Sequence, residues 1–261
     1  MDKQPPVARN APAPAPVARN ASAPVALVVG AGESTGSAVA RRFAREGYFT
    51  CVTRRNGDKL APLVAQIEAD GGRARAFASD ARDEEQVAAL VREIEEGIGP
   101  IEVAVFNVGA NVPASILEET PRKYRKVWEL GAYGGFLVAR EVALRMVPRG
   151  SGTMLFTGAT ASLRGGAGFA AFAGAKHSLR ALAQSLAREL GPKGIHVAHV
   201  VIDGAIDTAF IRDNFPERYA LRECDGILRP EAIAENYWWL HKQPRSAWTF
   251  EMDLRPWCER W

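Results

Sequence analysis

Val25-Ala-Leu-Val-Val-Gly30-Ala-Gly-Glu-Ser-Thr-Gly36-Ser-Ala-Val-Ala-Arg-Arg-Phe-Ala44 joins an apolar run to a glycine-rich turn and then to an amphipathic run. Val25 to Val29 has no polar member, the pattern of a parallel strand buried on both faces. The glycines between Gly30 and Gly36 let the backbone approach a pyrophosphate closely, and the free N–H groups opening the next helix favour its charge. A tight strand-to-helix turn without a ligand has the same composition, so the rest of the chain has to decide between them.

The alternation continues downstream. Phe49 to Thr53, Ala74 to Ala78, Ile101 to Asn107, Thr153 to Thr157 and Ile195 to Ile202 read as further strands. Ser37 to Glu46, Asp83 to Ile98, Arg122 to Met146 and Ala170 to Leu190 read as helices, with Gly47, Gly97 and Gly191 near their ends as stop signals. This βαβα order predicts the α/β class: a Rossmann-like, doubly wound parallel sheet in three α/β/α layers, one domain over residues 25–261, with ligands beyond the strands' carboxyl ends. With 47% of 261 residues apolar, there is enough for one large core.

Residues 1–24 differ. Pro6-Val-Ala-Arg-Asn-Ala-Pro-Ala-Pro14 recurs as Pro16-Val-Ala-Arg-Asn-Ala-Ser-Ala-Pro24, a proline- and alanine-rich duplication without core residues. A disordered tail is expected, with an organelle-targeting role for Arg9 and Arg19 the alternative. Lysine plus arginine number 33 against 30 acids, which gives no electrostatic footprint for nucleic acid. No apolar stretch is long enough for a membrane span. Cys51, Cys224 and Cys258 have neither Cys-x-x-Cys spacing nor a histidine cluster, so a reducing, cytoplasmic setting and no metal are expected.

Taken together these motifs resemble the short-chain dehydrogenase/reductase family. In its Thr-Gly-x-x-x-Gly-x-Gly pattern, Gly30 and Gly36 are retained and Ser34 stands at the middle glycine, which makes Gly30, Gly32, Ser34, Thr35 and Gly36 the implied phosphate loop. Asp80 matches an aspartate implied to contact adenine. Asn107-Val-Gly109 matches the Asn-Ala-Gly segment beside the cofactor, and Val201 to Thr208 parallels a Pro-Gly-x-x-x-Thr segment at the nicotinamide amide, through Ile206 and Thr208, with Asp203 in place of proline. An acid holding the ribose diol of NAD would fall where Arg54 and Arg55 stand. Two guanidinium groups suit a 2′-phosphate, so NADP is the expected cofactor. Glu33, where NADP-using relatives often carry a basic residue, keeps NAD open.

The chain departs from this pattern at its catalytic positions. Phe172 stands four residues before Lys176, where the family has tyrosine; Ala159 occupies the serine position thirteen residues earlier, and Gly131 falls near the expected asparagine. Lys176 remains, to hold ribose hydroxyls or, more plainly, to pack its stem and reach water. Tyr133 is the first candidate for a substitute proton donor, with Thr160 and Ser162 behind it, whereas His177 is expected to face away. The dienoyl-CoA reductases, a branch of the same superfamily, work without the tyrosine. The resemblance thus implies an NAD(P)-dependent oxidoreductase acting on a carbonyl, hydroxyl or activated alkene, with a non-catalytic cofactor-binding protein as the alternative.

Beyond the sixth strand, Ala205 to Pro230 has no clean period and carries Arg212, Arg218 and Arg222, which either meet an acidic substrate or are solvated. Ser246 to Pro256 alternates like a last strand, with Trp248, Phe250 and Trp257 available for a subunit contact. Gly134, Gly135, Ala173 and Gly174 would let paired helices approach closely, so a homodimer or homotetramer is expected.

Overall fold

A computed structural model describes residues 23–260. The expected tail falls almost wholly outside the described residues. Seven strands, β1 (Val25–Val29), β2 (Phe49–Arg54), β3 (Arg73–Ala78), β4 (Ile101–Phe106), β5 (Gly152–Thr157), β6 (Ile195–Ile202) and β7 (Glu251–Leu254), form one sheet in the order β3-β2-β1-β4-β5-β6-β7. Every pairing is parallel. The order reverses direction at β1, creating the crevice where ligands of such sheets bind.

Helices α1 (Thr35–Arg45), α2 (Ala61–Ala69), α3 (Glu84–Gly97), α4 (Pro121–Trp128), α5 (Gly134–Met146), α6 (Ala170–Leu190), α7 (Ala209–Asn214), α8 (Pro216–Ala220) and α9 (Pro230–Lys242) complete the architecture. Strand periodicity divides the core between two faces. On β1, Val25, Leu27 and Val29 pack with α3, α5 and α6 through Leu90, Ile94, Leu137 and Leu179. Ala26 and Val28 point the other way, to a cluster containing Phe43, Ile67, Ile233 and Tyr237 of α1, α2 and α9. α9 also locks to α1 through Arg41–Glu231 at 2.9 Å and Arg42–Glu235 at 2.7 Å.

Two predicted elements differ. The helix read over residues 122–146 is interrupted at Glu129–Tyr133 by a π-helical turn, which inserts extra backbone and rotates α5 relative to α4. The alternating stretch from Ser246 contributes only Glu251–Leu254 to the sheet. A turn closed by Ala247 N–H onto the Pro244 carbonyl precedes it, and Trp248 stacks on His196 with ring centroids 4.9 Å apart. Trp248 is thus used inside the chain, whereas Trp257 is 78% exposed.

Candidate active site

β1 is followed by Gly30, whose φ of +87° is the left-handed region that glycine adopts without strain. Asn107, just past β4, donates from Nδ2 to the Gly30 carbonyl at 3.0 Å, and its own N–H reaches the Val29 carbonyl. A Cβ at Gly36 would lie 2.5 Å from the Gly30 oxygen, so only glycine lets α1 start this close to β1. Gly32 has open space where a Cβ would stand. Around it the buried Ser34 Oγ and Thr35 Oγ1 have no hydrogen-bond partner among the described residues, although buried hydroxyls are nearly always satisfied. An open glycine beside two orphaned hydroxyls at a helix start fits an anionic group.

A cavity of about 740 Å³ opens beside this loop over the carboxyl ends of β4, β5 and β6. Thr35, Asn107, Gly109, Ala159, Thr160, Phe172, Lys176 and Ile206 line it, so the folding chain brings these sequence-selected positions together. Lys176 projects from α6 and is 4% exposed. Its Nζ donates to the Thr157 carbonyl at 2.7 Å and the Val108 carbonyl at 3.3 Å, and burial pushes its pKa down to about 8. Gly109 makes room for it: a Cβ there would lie 3.2 Å from Nζ. The Phe172 ring stands 5.9 Å from Nζ, on the same wall.

Tyr133 is not brought to this cavity. The π turn carries it into an aromatic row, stacked between Trp128 and Phe136 at 6.3 and 6.2 Å. Gly131, in the same turn, is buried against Ala175. The Ser162 hydroxyl is fully buried and accepts the Ala159 N–H at 3.1 Å, turned inward, and His177 bonds back to the Ala173 carbonyl. Only Thr160 among the alternative hydroxyls lines the cavity, and it donates to Asp203 Oδ1. Thr208 lies outside the lining because its hydroxyl caps α7, accepting from Ile211 N–H at 3.1 Å.

At the other end of the crevice, Arg54 and Arg55 leave β2 with no salt bridge of their own among the described residues. Asp80 does not wait free for a ligand. Arg82, which no sequence motif singled out, grips its carboxylate, with Nη2 to Oδ2 at 2.5 Å and Nε to Oδ1 at 2.9 Å, and holds its pKa below the usual range. Of the three later arginines, Arg212 pairs with Asp213, Arg222 with Asp207, and only Arg218 reaches the cavity, 3.9 Å from Glu259. Arg164, Phe169, Phe210, Phe215 and Glu259 also line the cavity, and no motif pointed to them.

A family model described as short chain dehydrogenase matches residues 24–218. The chain is 33% identical over 190 residues to the 1-deoxy-11-beta-hydroxypentalenate dehydrogenase of Streptomyces exfoliatus, covering 72% of this chain and 69% of that protein. Among solved structures, a short-chain dehydrogenase from Rhodopseudomonas palustris is 50% identical with a TM-score of 0.78, covering 91% of this chain and 100% of the other. A metagenomic short-chain oxidoreductase in complex with NADP is 25% identical with a TM-score of 0.78, over 90% and 98% of the two chains. With its glycine loop, parallel sheet and buried lysine in that setting, this chain belongs to the short-chain dehydrogenase family.

Proposed function

We propose that this chain is an NADP(H)-dependent oxidoreductase acting on a small carbonyl, hydroxyl or activated-alkene substrate, with a non-standard set of catalytic groups. The observation that carries this reading is the continuity of a phosphate-ready loop, with its orphaned Ser34 and Thr35 hydroxyls, with a cavity floored by Lys176. Gly30, Gly32, Ser34, Thr35 and Gly36 would hold the pyrophosphate, and Arg54 and Arg55 the 2′-phosphate. Asn107, Gly109, Lys176 and Ile206 would hold the nicotinamide half, where the cofactor supplies a hydride. Asp80, already engaged by Arg82, serves the adenine end through that ion pair rather than as a free acceptor. Thr208 supports the site by capping α7.

This chain's own residues orient the reactants more than they move protons. Phe172 and Ala159 line the cavity with hydrocarbon where a phenol and a hydroxyl would pass a proton. Thr160 has committed its proton to Asp203. Of Phe172, Ala159, Thr160 and Lys176, Lys176 keeps an N–H beyond those given to its two carbonyls, and a pKa near 8 lets it bear a proton at neutral pH. It is the residue on which we place the chemistry, in place of Tyr133. Loss of one positioned acid costs ~10² to 10⁴ in rate, while orientation of two bound reactants still supplies about 7 to 11 kcal/mol.

The hydrocarbon at Phe172 and Ala159 also supports a second reading, cofactor binding without turnover. NADPH oxidation followed by nicotinamide absorbance across ketones, aldehydes, quinones and enoyl compounds separates the two. Substrate-dependent oxidation on any of them supports the enzyme; saturable NADPH binding with none supports the alternative. We place the protein in the cytoplasm on its three free thiols. Among the described residues, no helix is long and apolar enough to cross a membrane, and no acidic or histidine cluster could hold a metal.

A further inference from the structure

Asp203 follows β6 at the cavity edge, and its side chain is only 8% exposed, against 20% for Glu259, the other carboxylate in the lining. Its N–H donates to the Leu254 carbonyl at 2.8 Å, a bond that proline could not make. Oδ1 accepts from the Thr160 hydroxyl, and Oδ2 lies 3.7 Å from Arg255, a guanidinium shared with Asp253. A buried carboxylate thus faces the cavity, tied to the loop after β5 on one side and to the C-terminal segment on the other.

The sheet order fixes which half of a dinucleotide meets it. With the pyrophosphate at the end of β1 and the 2′-phosphate at Arg54 and Arg55 after β2, the second nucleoside must run the opposite way, over β4, β5 and β6. Those are the strands whose ends frame the cavity. The oxidised nicotinamide ring carries a positive charge and the reduced ring is neutral, so a carboxylate there discriminates between them.

We infer that Asp203 is an electrostatic tuning residue that makes this site hold oxidised nicotinamide more tightly, and so makes the bound reduced cofactor a stronger hydride donor. The inference rests on the NADP(H) reading above. Lys176 opposes Asp203 electrostatically, but it is present in every variant compared and cancels.

The test needs no substrate: calorimetric Kd values for NADP+ and NADPH on the full chain, as wild type, Asp203→Asn and Thr160→Val. Asp203→Asn keeps an acceptor for Thr160 and removes the charge, and with it the ion pair to Arg255. The expected result is a rise of about tenfold in the ratio Kd(NADP+)/Kd(NADPH) for Asp203→Asn, from one charge acting at partly buried range. That equals a bound couple about 30 mV more positive. Thr160→Val, which keeps the charge, should leave the ratio within about threefold of wild type. An Asp203→Asn ratio within about twofold of wild type, with both cofactors binding, overturns the inference alone. A Thr160→Val shift equal to that of Asp203→Asn also overturns it, because the cause would then be the hydrogen bond. Wild type that binds neither cofactor removes the NADP(H) reading and the inference together.

Discussion

Phe172→Tyr combined with Ala159→Ser should convert this site into a faster reductase. Phe172 is half-buried on the cavity wall, so stability should change little. The ring centroid lies 5.9 Å from Lys176 Nζ. At an effective dielectric of about 20, a unit charge 5 to 6 Å away stabilises a phenolate by about 3 kcal/mol, or about two pKa units. The phenol would then titrate near ~8 instead of ~10, close enough to neutrality for efficient proton transfer. The gain expected over wild type is ~10² to 10⁴ in kcat/KM for a carbonyl, with Kd for NADPH unchanged. The assay is NADPH oxidation by wild type, both single variants and the double variant against one carbonyl panel, with cofactor affinity measured in parallel. A double variant that binds NADPH normally and gains no more than about twofold on every carbonyl would refute the reasoning. The Phe172 ring would then not occupy the proton-donating position.

Burial depresses Lys176 to about 8 from an ordinary 10.5, so the folded state loses its proton first and stability rises with pH between these values, by about 3 kcal/mol. Urea titrations from pH 7 to 10.5 should show that rise in wild type and not in Lys176→Met; parallel curves would contradict the burial. Gly32→Ala, with open space at its Cβ, should change stability by less than ~0.5 kcal/mol yet weaken NADPH binding at least ~10-fold, because the methyl stands where the phosphates approach. Gly36→Ala, 2.5 Å from the Gly30 oxygen, should instead destabilise the fold by about 1 to 3 kcal/mol or more. Trp128 at the end of α4 and Phe136 and Leu144 on α5 are 38%, 44% and 58% exposed, apolar surface suited to the expected subunit contact. Light scattering should return a dimer or tetramer, and Phe136→Glu with Leu144→Glu should return a monomer; a monomeric wild type would contradict this.

Much of the fold was legible because buried parallel strands are continuous apolar runs and need no period to be found. Val25–Val29, Ile195–Ile202 and the helix Ala170–Leu190 have the bounds read from sequence. α9 was not legible because Tyr237-Trp-Trp-Leu240 spreads its bulk around the helix, with Tyr237 and Leu240 in the core and Trp239 53% exposed. Tyr133 misleads for a different reason. An ideal helix places it two residues past Gly131 and near the site, but a π turn has no residue signature and sets it between Trp128 and Phe136, packed against the core. The Thr160–Asp203 contact joins two loops and the Asp80–Arg82 contact lies within one, and no spacing rule encodes either side-chain choice. The motif positions were readable because backbone geometry dictates glycine, whereas the groups that tune chemistry were not.

Everything proposed for this chain depends on the crevice between Gly30 and Lys176 being an NADP(H) site. Calorimetric titration of the full chain with NADPH and with NADH tests it most directly, alongside the Arg54→Ala, Arg55→Ala double variant. One saturable site is expected, with NADPH binding ahead of NADH and a loss of ~10- to 100-fold in that preference when both guanidinium groups are removed. Absence of heat and of competition for both cofactors, by a folded protein, would contradict it.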